Sequence, residues 1–554
     1  MRKQTKLVAV ASAAALLAIG ASMTSFAATG WVEEDGQWYY YNKDGSRAED
    51  EWKKSGNNWY WLDSENGGAM ATDKLIDDNN NTYYVDSNGV MVTNTWVKIV
   101  NEDQDENTDP AEYRYYYMQS NGKAYKAGTS NETKLKTIDG KKYAFDADGK
   151  MLYGWVDLNS EMKHGETEWK EAVYYFGGWE DGSMKTGWQK INVYDAKGDE
   201  DDDADKWFYF NSNGKRFELK DEDQTTKPLA TKKINGKTYG FDADGVMSYE
   251  WRQAASGSDA SASNWGYFRS PEDGARVTKG WFKVVPDEKF DAKNSDEENE
   301  KWYYSNGDGT LVTSEIKKIN GKYYAFDDKG VMLKGLVQLT TENGTILNVD
   351  DPDVDADELD DLIEGTYIDT INLYYFGEEN DGAMKTGSTT VKLDGDSYAF
   401  HFATTGGADS RGQGTSGIVK KVHYKYGKKM AASSEDKYRA GSYDEGEVIT
   451  LIASKDIRSR HDEYPIHETV RDTKNNILSG VKYIDLSGVD AYLIGTNGQL
   501  KKNATGGVKD GDDWYFFSNK EGKIIYYAND KDFTKSNVYS AWKARNWNTP
   551  VTAE

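Results

Sequence analysis

The stretch Val173–Trp188, VYYFGGWEDGSMKTGW, runs an aromatic strand, a glycine turn, a Gly-x-Met step and a closing Gly-Trp in succession. Near-copies occupy Leu373–Ser388, Trp265–Trp281 and Asn58–Leu75. A second variant, INGKYYAFDDKGVM at Ile319–Met332, returns as IDGKKYAFDADGKM at Ile138–Met151 and INGKTYGFDADGVM at Ile234–Met247. Such repeats constrain the fold before composition does, because each unit must stack on its neighbours to bury anything. Asp-Gly and Asn-Gly between short aromatic runs seed hairpin turns. The expected fold is all-β, a repeat solenoid of stacked β-hairpins.

Composition agrees with that reading. Hydrophobic residues are 37% of the 554-residue chain, yet aromatics are 13%. Cores are therefore expected from ring contacts, not from aliphatic packing. Cysteine is absent, which excludes disulfides and thiolate metal sites.

Residues 1–27 read as a signal peptide. Arg2, Lys3 and Lys6 precede an apolar run, Leu7–Gly20, and Ser25-Phe26-Ala27 offers a cleavage site. Losing three cations and no acid takes the formal charge from −26 to −29. That excludes nucleic acid and argues against bare anionic polymers as partners through bulk charge. No later run is long enough for a membrane span.

Three compact repeats open the array, starting at Trp31, Trp52 and Leu75. After Trp96, acidic insertions recur between a first strand and its aromatic partner: Asn101–Glu112, Val193–Lys206 and Pro286–Lys301. They should lengthen hairpin tips and leave the stack alone, since loop-closure entropy rises slowly with length. Met151, Met247 and Met332 mark a longer period of three hairpins. The expected divisions are 28–400 for the repeats, 401–490 for a degenerate or inserted β-rich region, and 491–554 for terminal degenerate repeats and a tail.

Strand alternation puts Trp38 and Tyr40 on one side. Where a Gly-Trp, its aromatic strand and the next Trp meet, three rings can form a slot for a quaternary ammonium or a sugar face. The other reading is that these rings are simply core.

The pattern of Gly-Trp, WYY, Gly-x-Met and Gly-Trp resembles the cell-wall-binding (choline-binding) repeats of Gram-positive surface proteins. INGKYYAFDDKGVM is also similar to repeats of clostridial toxins and glucan-binding glucosyltransferases. The resemblance implies ligand slots between successive repeats, each with a Gly-Trp ring, an aromatic of the following strand, the next Trp, and a nearby Met. Carried onto this chain, those are Trp31, Trp38, Tyr40 and Trp52; Trp52, Trp59, Trp61 and Met70; Trp155, Tyr175, Met184 and Trp188; and Trp281, Trp302 and Tyr304. Departures from the pattern include Leu75, Leu336 and Ser388 in Trp places, and Arg47 and Arg276 in Met places.

Asp353, Asp355, Asp357, Asp361 and Glu364 fall at ligand positions of a calcium loop, but Glu358 replaces its turn glycine. The alternative is a solvated acidic tip. The five histidines lack zinc-site spacing, and no nucleophile motif occurs. A small enzymatic domain within Glu447–Gly488 would need titratable groups converging in a cleft. The expected function is a secreted, non-catalytic surface protein without a cofactor. It would hold a choline-substituted polymer or a glycan of the cell envelope non-covalently. The alternative is a spacer or adhesin whose acidic loops bind other proteins.

Overall fold

The computed structural model describes residues 29–545 except 106–108, 129–131, 195–202, 296–299, 366–367, 369–370, 379, 408–409 and 445–447. The expected leader, residues 1–27, lies outside the described residues, as do parts of all three acidic insertions. The fold is mostly β, built from many small hairpin sheets. It divides into two compact units, one ending at Ile234 and regaining Tyr239–Ser248, the other holding Asn235–Thr238 and Tyr249 onward.

The first unit opens with hairpins Gly30–Glu34/Gln37–Tyr41, Glu51–Ser55/Asn58–Asp63 and Lys74–Asp78/Asn81–Val85. Asp35 and Gly36 both take positive φ, 50° and 79°. That pair defines the mirror-image turn whose twist matches the strands, and it explains Asp-Gly at the tip. The longer hairpins Thr95–Val100/Tyr113–Met118 and Gly187–Tyr194/Asp203–Phe210 follow. In the second unit, Gly280–Val284/Lys301–Ser305 precedes Glu315–Ile319/Lys322–Phe326.

Successive hairpins are joined by one recurring backbone bond. The residue in the Met position of one hairpin donates its N–H to an aromatic-strand carbonyl of the hairpin before it. Met91 reaches Trp59 at 2.9 Å, Met151 reaches Tyr115 at 2.8 Å and Met247 reaches Trp207 at 2.8 Å. In the second unit Met332 reaches Trp302 at 2.9 Å and Met384 reaches Tyr323 at 2.8 Å. Each Gly-x-Met segment therefore satisfies a carbonyl on the edge of its neighbour, which would otherwise stand unpaired.

Two insertions depart from the expected free tips. Glu288–Ser295 forms a kinked helix whose Phe290 is buried and packs on Trp251 and Trp265, at 5.0 and 5.3 Å between ring centroids. It joins the core instead of standing clear of it. Ala356–Glu364 is an α-helix, not a calcium loop. Asp355 caps it and Glu358 bonds back to the Asp355 N–H, a reciprocal capping box. Asp357, Asp361 and Glu364 thus lie along the helix, and no group of acids or histidines able to hold a metal is gathered among the described residues. Leu359 and Ile363 bury its apolar face against Val391, Phe400 and Tyr426. Buried Lys425 donates to the carbonyls of Ile363 and Gly365 at its C-terminus, where a cation is favoured.

The expected divisions at 400/401 and 490/491 fall inside sheets. Phe400 pairs with Lys428, Tyr438–Asp444 with Tyr492–Gly495, and Tyr483–Asp485 with Ile524–Ala528. Ile457, Tyr464 and Ile484 share a core with Leu493, Phe516 and Tyr527. The aperiodic stretch after residue 447 is thus woven into the terminal sheets. Its strands follow no short period because they pair across long sequence separations.

Candidate ligand-binding site

The Gly-Trp step begins a strand, and alternation decides what the ring meets. Trp281 stands opposite Tyr304 across the hairpin, edge-to-face at 5.1 Å. Two residues earlier on the same face, Trp302 lies 6.3 Å away at 85°. Tyr324 of the next hairpin supplies a third wall, 4.8 Å from Trp281 at 66°. The bond to Trp302 brings Met332 beneath these rings. Asn380 and Asp381 close one side, with Trp302 Nε1 donating to Asn380 Oδ1 at 3.4 Å. The result is a cavity of about 230 Å³ with half-buried rings and one carboxylate.

The same construction recurs in the first unit. Trp188 has Trp207 at 6.2 Å and 87° and Tyr239 at 4.8 Å and 67°, with Met247 bonded to Trp207. Trp96 has Tyr143 at 4.9 Å and 66°, with Tyr115 in Trp207's place and Met151 below. Trp52 has Tyr83 at 5.1 Å, with Trp59 and Met91 in the equivalent positions. Trp31 has Tyr60 at 5.2 Å, and register sets Met70 beside this hairpin through the pair Tyr39–Ala69.

The expected slots differ from these cages in two respects. The third wall is the aromatic strand of the next hairpin, not its Gly-Trp: Tyr60 stands against Trp31 where Trp52 was expected. The methionine also comes from the next hairpin, so Met91, not Met70, joins Trp52 and Trp59. Tyr40, Trp61 and Tyr304 are the cross-strand partners of their Gly-Trp rings. Trp302 holds the second wall, and Trp38 and Trp59 take the same register position, two residues before the cross-strand partner. The wall residues missed, Tyr60, Tyr83, Tyr143, Tyr239 and Tyr324, were legible as the third residue of each returning strand.

One expected slot is closed. Trp155 is 7% exposed, with Tyr175, Phe208 and Trp169 at 5.0, 5.1 and 6.0 Å. Arg216, hydrogen-bonded to the Trp169 and Lys170 carbonyls, brings its guanidinium 5.8 Å from the Trp155 ring centre. Met184 packs in a different cluster, with Val156 and Tyr174, and Trp188 belongs to the cage described above. Trp251 is likewise filled, by Tyr267, Phe290 and Tyr303. Leu336, in a Trp place, is buried in a core of mixed aliphatic and aromatic side chains.

Carboxylates stand near the third wall of two cages. Burial, then the Asp381 carboxylate, pushes the Tyr324 phenol up, against the opposing charge of Lys385. Burial, then Asp181 and Asp139, does the same to Tyr143. Burial would raise Asp181 itself, but hydrogen bonds from Lys185 and Ser183 outweigh it and hold the carboxyl below its usual range. The tyrosines stay neutral and Asp181 stays ionised at neutral pH. Rings facing a carboxylate attract a cation.

Residues 28–73 match the model of the choline-binding repeat, and 74–91, 201–215 and 297–311 match that of the putative cell wall binding repeat. The chain carries cell-wall-binding repeats of the choline-binding type. The matched segments contain Trp31, Trp38, Trp52 and Trp59, then Tyr83 and Met91, then Trp207, then Trp302. Among relatives, glucosyltransferase-I of Streptococcus downei is 28% identical over 420 residues, 67% of this chain and 22% of that protein. Glucosyltransferase-S of Streptococcus mutans is 28% identical over 258 residues, 46% of this chain and 15% of that protein. The chain thus spans less than a quarter of the length of these relatives. Among solved structures, choline binding protein F of Streptococcus pneumoniae, with a peptidoglycan analogue, is 22% identical, with 58% of this chain and 98% of that one covered and a TM-score of 0.32. The modular autolysin LytC of the same organism, with a synthetic peptidoglycan ligand, is 20% identical, with 56% and 54% covered and a TM-score of 0.30.

His423 is buried, with Nδ1 3.0 Å from the Gly498 carbonyl oxygen, and His467 stacks on Tyr483. No helix among the described residues is long and apolar enough to cross a membrane.

Proposed function

We propose that this chain is a non-catalytic anchoring protein that holds a choline-substituted cell-envelope polymer in its open aromatic cages. The observation that carries the reading is the Trp281–Trp302–Tyr324–Met332 cage with Asp381 at its rim. Its rings offer faces to a quaternary ammonium, the methionine adds a polarizable floor, and the carboxylate favours positive charge. Each cage is shallow and binds weakly. Several within one unit act together, since linked sites can raise avidity by roughly a hundredfold or more. In this account the hairpins of each unit stack as a solenoid, residues 1–27 direct export, and attachment to the surface is non-covalent.

A neutral glycan is the second ligand class. Trp59 favours it, because that ring is 39% exposed and open to stacking by a sugar face. The test is sedimentation of the chain with purified envelope, with and without free choline. Release by choline supports the cation reading. Retention despite choline moves the assignment to glycan. Failure to sediment overturns anchoring and leaves a spacer or adhesin with acidic surfaces.

A further inference from the structure

We infer that Lys318, Lys322, Lys385 and Arg411 form an anion pocket for a phosphate group, across the hairpin from the Trp281 cage. The pocket encloses about 330 Å³, and its lining among the described residues holds these four cations, Tyr323 and Thr386, with no acidic side chain. Its setting is a chain of formal charge −26, so such a gathering runs against the bulk balance. Adjacent residues of one strand face opposite ways. Tyr324 therefore walls the cage while Tyr323 lines the basic pocket.

Among the described residues, three of the four cations are held without being neutralised. Lys318 Nζ and the Arg411 guanidinium lie 5.6 and 5.7 Å from the centre of the Tyr323 ring. A ring face orients a cation but leaves its charge intact. Lys385 alone is paired, with Asp381 at the cage rim. No carboxylate among the described residues pairs with Lys318, Lys322 or Arg411. The bond from Met384 N–H to the Tyr323 carbonyl, 2.8 Å, fixes the Lys385 segment beside the turn. Met384 in turn packs so closely on Gly412 that a side chain there would collide, which sets Arg411 at the mouth. Three unpaired cations, one a planar guanidinium, suit a phosphoryl group better than a single carboxylate.

The pocket stands without the cages. Only its link to a polymer rests on the proposed anchoring function: one strand would then contact a cation on one face and a phosphodiester on the other. The test titrates the full chain with inorganic phosphate, acetate, choline, and a poly(glycerol phosphate) oligomer free of choline, by calorimetry. The inference expects phosphate and oligomer to bind, acetate to bind at least about tenfold more weakly, and Lys322→Gln/Arg411→Gln to lose about tenfold for both phosphates with choline unchanged. Free phosphate binding without the oligomer assigns the pocket to a small phosphate. Equal affinity for acetate, no phosphate binding, or a double variant that binds phosphate as before overturns it. Loss of choline binding alone, with phosphate retained, would fault the cages and leave this pocket standing.

Discussion

Met332 donates its N–H to the Trp302 carbonyl at 2.9 Å while its side chain lies against Gly382 of the following repeat. One residue therefore fixes the floor of a cage, ties its hairpin to the one before, and seats the one after. The same nesting joins Met70 to Gly89, Met91 to Gly122, Met151 to Gly182 and Met184 to Gly214. Arg276 nests on Gly309 in the same way, so arginine fills the Met position without breaking the stack.

Gly382 has φ 57°, and a β-carbon there would displace Met332. Gly382→Ala is expected to cost about 1–3 kcal/mol and to weaken choline binding. Denaturant unfolding of this variant and of Gly382→Ala/Met332→Ala measures it. Partial recovery of stability in the double variant is the expected sign of the nest.

Open and filled aromatic sites should respond oppositely to truncation. Trp155→Ala removes a buried ring and should cost about 3–5 kcal/mol with choline binding retained. Trp302→Ala removes a half-exposed wall and should cost far less while abolishing one site. Melting curves beside ligand titrations separate the two effects.

Asp381 serves two sites of opposite sign. It lines the cage, and its ion pair with Lys385 neutralises one cation of the basic pocket. Asp381→Asn is expected to weaken choline binding severalfold and strengthen phosphate binding. Parallel titrations of one protein sample read both changes.

Burial pushes the Asp327 carboxyl up to about 7, despite hydrogen bonds from Val331 and Lys329 N–H that favour the charged form. A carboxyl raised in the folded state contributes stability below its unfolded value of 3.8, and loses it as pH rises through about 7. Asp327→Asn keeps the oxygen acceptor and removes the charge. It should match the parent near pH 4 and exceed it by roughly 1–3 kcal/mol near pH 8. Urea titrations at both pH values measure the difference.

Much of this architecture was legible in residue order. Asp35-Gly36 and Asn320-Gly321 announce tight hairpins, and Trp38 or Trp302 sits where period-two alternation requires. What failed was the identity of neighbours. Alternation says which ring shares a face, but not that Tyr60 would reach Trp31 before Trp52 did. The Asp355–Glu358 capping box was readable, yet the even spacing of acids suggested a loop. Bulk charge hid the basic pocket, because Lys318 and Lys322 share one hairpin while Lys385 and Arg411 come from later segments, so the four form no run.

The most direct test of the cages is equilibrium dialysis of labelled choline against the full chain, counting sites per molecule. The account predicts saturable binding at more than one site, one fewer in Trp302→Ala, and the full number in Trp155→Ala. Absence of saturable binding, or an unchanged count in Trp302→Ala, would contradict it.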